Sequence, residues 1–196
     1  MSVDKAPRPD GLNAGFYKYH WETIKTGVVN YIQYFFNTGY LNPEMNHTYI
    51  CLIPKIELPT QVKDYRPIIL CNIAYKLISK NLADRLKPWL HSLISEFQSA
   101  FIPGRLITDN IIITHELIHS LRTKKIKKPF MALKLDIAKA FDKVEWVYIE
   151  AMLRRLGFAY QWCQWVMRCI ISVSYSALLN GSPTKKDHSL SWNKAR

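Results

Sequence analysis

The stretch LKLDIAKAFDKVEW, from Leu133 to Trp146, places one carboxylate directly after a short apolar run. The apolar residues from Phe130 to Leu135 predict a buried strand that ends at Asp136, and the spacing from Val144 to Leu156 predicts a helix. Asp136 would then lie at the carboxyl end of a strand and face a turn. There its carboxylate and the Ile137 carbonyl are the oxygen ligands that Mg²⁺ prefers, and backbone amides of the turn can meet a triphosphate.

Phe141 follows this carboxylate by five residues. A bulky ring beside the 2′ carbon of a bound nucleotide admits a deoxyribose and collides with a ribose hydroxyl. This segment alone also has simpler interpretations. A single Asp at a strand end commonly caps a helix or forms a turn, and a phenylalanine is commonly part of the core.

Composition favours a folded, nucleic-acid-binding protein. The 196 residues are 48% hydrophobic and 13% aromatic, which is enough apolar material for a core. Lys and Arg number 27 against 15 Asp and Glu, so the net charge is +12 and a polyanionic partner is favoured through counterion release. The alternative is a basic protein without such a partner.

The cysteines and the apolar runs indicate a reducing compartment. Cys51, Cys71, Cys163 and Cys169 form no CxxC pair, and we interpret them as reduced, buried thiols. No apolar run reaches the roughly 18 residues of a membrane span, and the start of the chain has no signal-peptide pattern. The sequence therefore predicts a nuclear or cytoplasmic protein that is not secreted. The six histidines, including a pair one helical turn apart on a predicted helix, are interpreted as surface or core residues.

Alternation of helical and strand patterns predicts one unit of the α+β class. We expect helices over residues 16–36, 73–90, 111–122, 144–156 and 160–171, and strands over residues 48–53, 68–71, 130–135 and 173–179. Within the second of these helices, Pro88 is expected to start a fresh turn or a kink. The strands over residues 48–53 and 68–71 are close enough in sequence to pair as neighbours.

Seven segments, in order, carry a family resemblance. They are APRPDG (6–11), ICLIPK (50–55), DYRPIILCNIAYKLISKNLADRLKP (64–88), QSAFIPGRLITDNIIITHE (98–116), LKLDIAKAFDKVEW (133–146), LRRLGF (153–158) and LLNGSP (178–183). Together they resemble the reverse transcriptases of non-LTR (LINE-type) retrotransposons, especially those abundant in plant genomes. The resemblance implies a right-hand polymerase that is truncated at its C-terminal side, with fingers over about residues 1–128 and a partial palm over about residues 129–181.

The resemblance also implies a role for the carboxylate and its neighbours. Asp136 matches the first metal-binding, catalytic Asp of the palm, and the Ile137 carbonyl joins it in holding Mg²⁺. Phe141 matches the aromatic residue that screens the sugar of the incoming nucleotide. Asp142 is expected to brace the acidic turn rather than to bind metal.

Three basic residues acquire roles in the same way. Arg66 matches a fingers arginine that contacts the incoming triphosphate, and Lys55 assists it. Arg105 is placed to contact template or primer phosphate, although a surface charge without a partner is the alternative. The implied partners are an RNA template, a DNA primer and deoxynucleotides, with no membrane, and the oligomeric state is left open.

The chain departs from the family after Asn180 and Gly181. The Gly-Gln motif, the YxDD hairpin with the remaining catalytic aspartates, and the thumb do not follow. We therefore expect this chain alone to be inactive, with residues 182–196 as an out-of-frame tail produced by a frameshift near Lys185 to Asp187. The alternatives are a non-catalytic RNA- or DNA-binding module, a non-functional pseudogene product, and a relative of group II intron maturases.

Overall fold

The computed structural model describes residues 8–123, 131–137 and 143–187. The described residues up to 82 and from 143 onward form one compact unit, and those between 83 and 137 form a second. The first unit combines a sheet with helices, which confirms the α+β class.

A mixed sheet forms the centre of the first unit. Its strands, in the spatial order β2-β1-β3-β4, are β1 (His47–Pro54), β2 (Tyr65–Cys71), β3 (Ser174–Leu179) and β4 (Ser182–Pro183). β1 pairs antiparallel with β2, so the predicted pairing of neighbours is confirmed, and β1 pairs in parallel with β3. Asn180 and Gly181 connect β3 to β4 with φ angles of 49° and 80°, the positive values that a tight hairpin requires.

The helices follow the predicted pattern with one division. They are α1 (Ala14–Tyr19), α2 (Trp21–Thr38), α3 (Ile73–Leu86), α4 (Leu90–Leu93), α5 (Ile107–Thr123), α6 (Trp146–Arg155) and α7 (Tyr160–Ile171). The helix predicted over residues 16–36 is two helices that meet at His20. The fresh turn or kink predicted at Pro88 is confirmed, because α3 ends at Leu86 and a 3-10 turn follows at Lys87–Trp89, where Pro88 cannot donate a backbone hydrogen bond.

The core of the first unit lies where α2, α3 and α7 meet. Its buried members are Phe35, Leu41, Ile78, Leu82 and Cys169. Aromatic rings close its edge, and the Phe36 and Trp165 rings lie edge to face with centroids 5.0 Å apart. The apolar face of α2 is therefore fixed to the helix that leads into β3.

Buried polar side chains hold the start of β1 against α7 and β3. The fully buried Asn46 amide donates to the Cys169 carbonyl at 3.0 Å and to Ser172 Oγ at 2.8 Å. A 2.8 Å hydrogen bond joins His47 Nδ1 to Ser174 Oγ. Because these bonds are shielded from water, they favour one register of β3 beside β1.

All four cysteines are free, as the sequence predicts. Cys163 and Cys169 are buried, whereas Cys51 and Cys71 are partly buried. Burial raises the pKa of the Cys169 thiol to about 12, so this thiol stays protonated and unreactive at neutral pH.

The first unit should lose stability above about pH 9. The folded state raises the pKa of Cys169 from 9.0 to about 12, and burial also raises the pKa values of Tyr31, Tyr75 and Tyr175. These groups contribute fully to the free energy of unfolding at pH values below their pKa in the unfolded chain. The contribution is lost as pH rises through their pKa in the folded chain, because the unfolded chain releases these protons first. Urea unfolding should therefore give a lower free energy at about pH 10.5 than at about pH 7, with a smaller difference in Cys169→Ala. Equal free energies at the two pH values would contradict this.

The strand predicted over residues 130–135 is not formed by its described part. Residues 131–137 have no regular secondary structure and pair with no described strand, and every one of them is exposed. Leu133 and Leu135, for example, are 70% and 80% exposed. A segment without a neighbouring strand cannot satisfy its backbone groups within a ladder, so an apolar run alone does not make a strand.

Among the described residues, no helix has both the length and the apolar character needed to cross a membrane.

Candidate nucleotide-binding site

The hairpin of β1 and β2 carries the first pair of predicted site residues. The Lys55 amide donates to the Asp64 carbonyl at 2.8 Å, one step beyond the pairing of Pro54 with Tyr65. Asp64 Oδ2 in turn accepts the backbone amides of Thr60 at 3.1 Å and Gln61 at 2.9 Å. These hydrogen bonds to the Asp64 carboxylate therefore stabilise the loop that connects the two strands.

Lys55 and Arg66 lie at the end of this hairpin that the Asp64 loop closes. Arg66 is directly opposite Ile53, and Lys55 follows Pro54, the last residue of β1. Both residues are exposed. The Lys55 ammonium donates to the Lys63 carbonyl at 2.9 Å. Within the described parts of the chain, no group bonds to the Arg66 guanidinium, so its planar set of N–H donors faces solvent.

Asp136 and Ile137 belong to the second unit. Both are exposed at the end of the segment 131–137. A carboxylate and a carbonyl are hard oxygen ligands that suit Mg²⁺, and their exposure leaves them open to an ion. Among residues 8–123, 131–137 and 143–187, however, no group of three or more Asp, Glu, His or Cys side chains could hold a metal. This pair alone is an incomplete metal site.

Phe141 and Asp142 lie outside the described residues. The sugar-screening role of Phe141 and the bracing role of Asp142 therefore stay predictions.

Arg105 has backbone partners within the second unit. Its guanidinium donates to the carbonyls of Ser95 at 2.5 Å, Gln98 at 2.7 Å and Ile94 at 3.2 Å. These bonds fix the turn between α4 and α5. Its contact with template or primer phosphate stays a prediction. A phosphate bound there would compete with these carbonyls for the N–H donors of the guanidinium.

Sequence reasoning missed the part played by Asp64. The segment QVKD has an acidic residue three positions after a polar one, which is the spacing of a helix N-terminal capping pattern. That pattern could have predicted the short 3-10 helix Val62–Asp64 and hence the shape of the loop beside Lys55 and Arg66.

Comparison with known proteins agrees with the motif pattern. The family described as "Reverse transcriptase (RNA-dependent DNA polymerase)" matches residues 53–193, a region that includes Lys55, Arg66, Arg105 and Asp136. The "Transposon TX1 uncharacterized 149 kDa protein" of Xenopus laevis is 29% identical over 182 residues, which is 90% of this chain. The "Retrovirus-related Pol polyprotein from type-1 retrotransposable element R2" of Nasonia vitripennis is 31% identical over 150 residues, or 76% of this chain.

The family match covers more than half of the 196 residues. The chain belongs to the reverse transcriptase family. Both relatives are proteins of non-LTR elements, so the resemblance found in the motifs is confirmed. The matched part spans 14% of the length of each of these relatives.

Proposed function

We propose that this chain supplies the triphosphate-binding hairpin and the first metal-binding carboxylate of an RNA-directed DNA polymerase. In that reaction a primer 3′ hydroxyl attacks the α-phosphate of a deoxynucleotide and pyrophosphate leaves, with RNA as the template. The observation that carries this proposal is the family match over residues 53–193, because it includes Lys55, Arg66 and Asp136.

Arg66 is the residue best suited to hold the triphosphate. Its planar guanidinium can donate two parallel hydrogen bonds to phosphate oxygens, and no described group competes for them. Lys55 adds a second positive charge at the same end of the hairpin. The Asp64 carboxylate is engaged by the amides of Thr60 and Gln61, so its charge is directed into the loop.

Asp136 and the Ile137 carbonyl would hold Mg²⁺ in this proposal. When bound, divalent ions activate the attacking hydroxyl and neutralise charge on the leaving group. Such a site needs several carboxylates around two ions roughly 3.5–4 Å apart, and Asp136 is one of them. We therefore propose that the 196-residue polypeptide by itself does not extend a primer.

A second candidate function is nucleic-acid binding without catalysis. The net charge of +12 favours it, because cationic side chains that meet phosphates release counterions. Both functions use the positive charges of Lys55 and Arg66, and they differ in whether Asp136 takes part in catalysis.

Arg66→Ala should weaken the binding of a magnesium deoxynucleoside triphosphate about tenfold to hundredfold. The reason is the loss of charge-assisted hydrogen bonds to phosphate oxygens. Equilibrium titration of the purified chain with a fluorescent deoxynucleotide measures the change.

Two further variants make this test specific. Arg155→Ala removes an equally exposed arginine from α6 and should leave the affinity unchanged. Arg66→Lys keeps the charge but not the planar donors and should give an intermediate loss. If Arg66→Ala and Arg155→Ala bind the nucleotide equally well, the assignment of Arg66 is wrong.

A further inference from the structure

Helix α5 carries two histidines at the spacing of a metal-chelating pair. Glu116 follows His115 directly and His119 lies four residues beyond His115, so the helix contains the segment HELIH. The interpretation of these histidines as surface or core residues overlooked this glutamate. In a continuous helix, side chains four residues apart lie on the same face, one turn above the other.

The geometry leaves the motif open to solvent. His115, Glu116 and His119 are all exposed, and together with Ile112 and Ser120 they line a depression of about 450 Å³. In the part of the chain that the structure describes, no group bonds to either imidazole or to the Glu116 carboxylate. Both histidines are therefore free to act as ligands.

We propose that His115 and His119 chelate a Zn²⁺ ion across one turn of α5. Imidazole nitrogen is a preferred ligand of Zn²⁺, whereas Mg²⁺ prefers oxygen. The site is thus chemically distinct from the one proposed at Asp136, and it does not depend on the polymerase function. Water completes the coordination, and Glu116 is placed to accept a hydrogen bond from such a water.

The site binds metal without hydrolysing peptides. The same H-E-x-x-H spacing occurs in zinc proteases, where the glutamate acts as general base and a third protein ligand holds the ion. Among the described residues of this chain, no third Asp, Glu, His or Cys side chain joins the pair. The surface around it is open, so water is not excluded from the ion.

Calorimetric titration of the untagged 196-residue chain with Zn²⁺ tests this proposal. We expect one Zn²⁺ site, and we expect His115→Ala and His119→Ala each to lower its affinity. Loss of a group that only supports a metal ligand lowers affinity roughly 10- to 100-fold, and loss of a ligand itself should lower it more. His91→Ala removes an exposed histidine from α4 and should leave this site unchanged. Equal affinities in all four proteins would place the metal elsewhere, for instance on the free thiols, and would overturn the proposal.

A second measurement separates chelation from adventitious binding to one imidazole. A chelate joins successive turns, so Zn²⁺ should slow amide hydrogen exchange within α5 in the natural chain and not in His119→Ala. Unchanged exchange in the natural chain at saturating Zn²⁺ would contradict chelation. Zn²⁺-dependent cleavage of casein that Glu116→Gln abolishes would show that the site is catalytic and would overturn the proposal of binding alone.

Discussion

Replacing Phe35 by alanine is expected to lower the free energy of unfolding by about 3–5 kcal/mol. The ring is fully buried and packs in the core with Leu41, Ile78, Leu82 and Cys169, so its removal leaves a cavity between α2, α3 and α7. A typical domain has only about 5–15 kcal/mol of stability, so the variant should unfold at much lower urea concentration. Tryptophan fluorescence reports the transition, because Trp162 and Trp165 pack against this core.

Tyr34→Ala is the matched control on the same helix. Tyr34 is 52% exposed, and its ring meets Tyr40 edge to face with centroids 6.3 Å apart. Its loss should therefore cost about 1 kcal/mol at most. If the two alanine variants unfolded at the same urea concentration, the assignment of Phe35 to the centre of the core would be wrong.

Local patterns in the sequence predicted the local elements well. Helix α7 has the bounds that apolar spacing gave, Tyr160–Ile171, and β1 and β2 pair as expected. These elements are set by interactions between residues that are near in sequence: the helical stripe of α7 and the alternation that ends at Pro54.

Long-range pairing could not be predicted in the same way. β3 was expected as a strand, but its parallel alignment with β1 joins His47 to Ser174 across more than half of the chain. Nothing in either strand specifies the other, and the buried hydrogen bond between His47 and Ser174 favours the observed register. For the same reason the apolar run before Asp136 was wrongly predicted to be a strand. A strand is defined by its neighbours, which the run itself does not encode.

The sequence predicted which residues belong to the candidate site better than it predicted their hydrogen-bond partners. Sequence motifs indicated Lys55 and Arg66, and the hairpin brings them to one of its ends. The same motifs indicated Arg105, but they could not show that three backbone carbonyls occupy its guanidinium. A motif identifies a residue type at a position, whereas the groups that compete for that residue depend on the folded loop around it.

The chain alone should bind a primer annealed to an RNA template but add no nucleotide to it. Its net positive charge predicts binding whose affinity falls steeply as salt concentration rises. Catalysis needs several carboxylates around two ions, and the described residues offer Asp136 without two further metal-binding side chains beside it. Asp136→Asn should accordingly leave nucleic-acid affinity unchanged, since the carboxylate is not a phosphate contact.

A primer-extension assay with the purified 196-residue chain, Mg²⁺ and all four deoxynucleotides tests most directly whether Asp136 is one member of an incomplete metal site. An active reverse transcriptase on the same annealed substrate serves as the positive control. We expect salt-sensitive binding of the substrate and no lengthening of the primer by either the natural chain or Asp136→Asn. Mg²⁺-dependent extension by the natural chain that Asp136→Asn abolishes would contradict this, because it would show that the chain assembles a working metal site by itself.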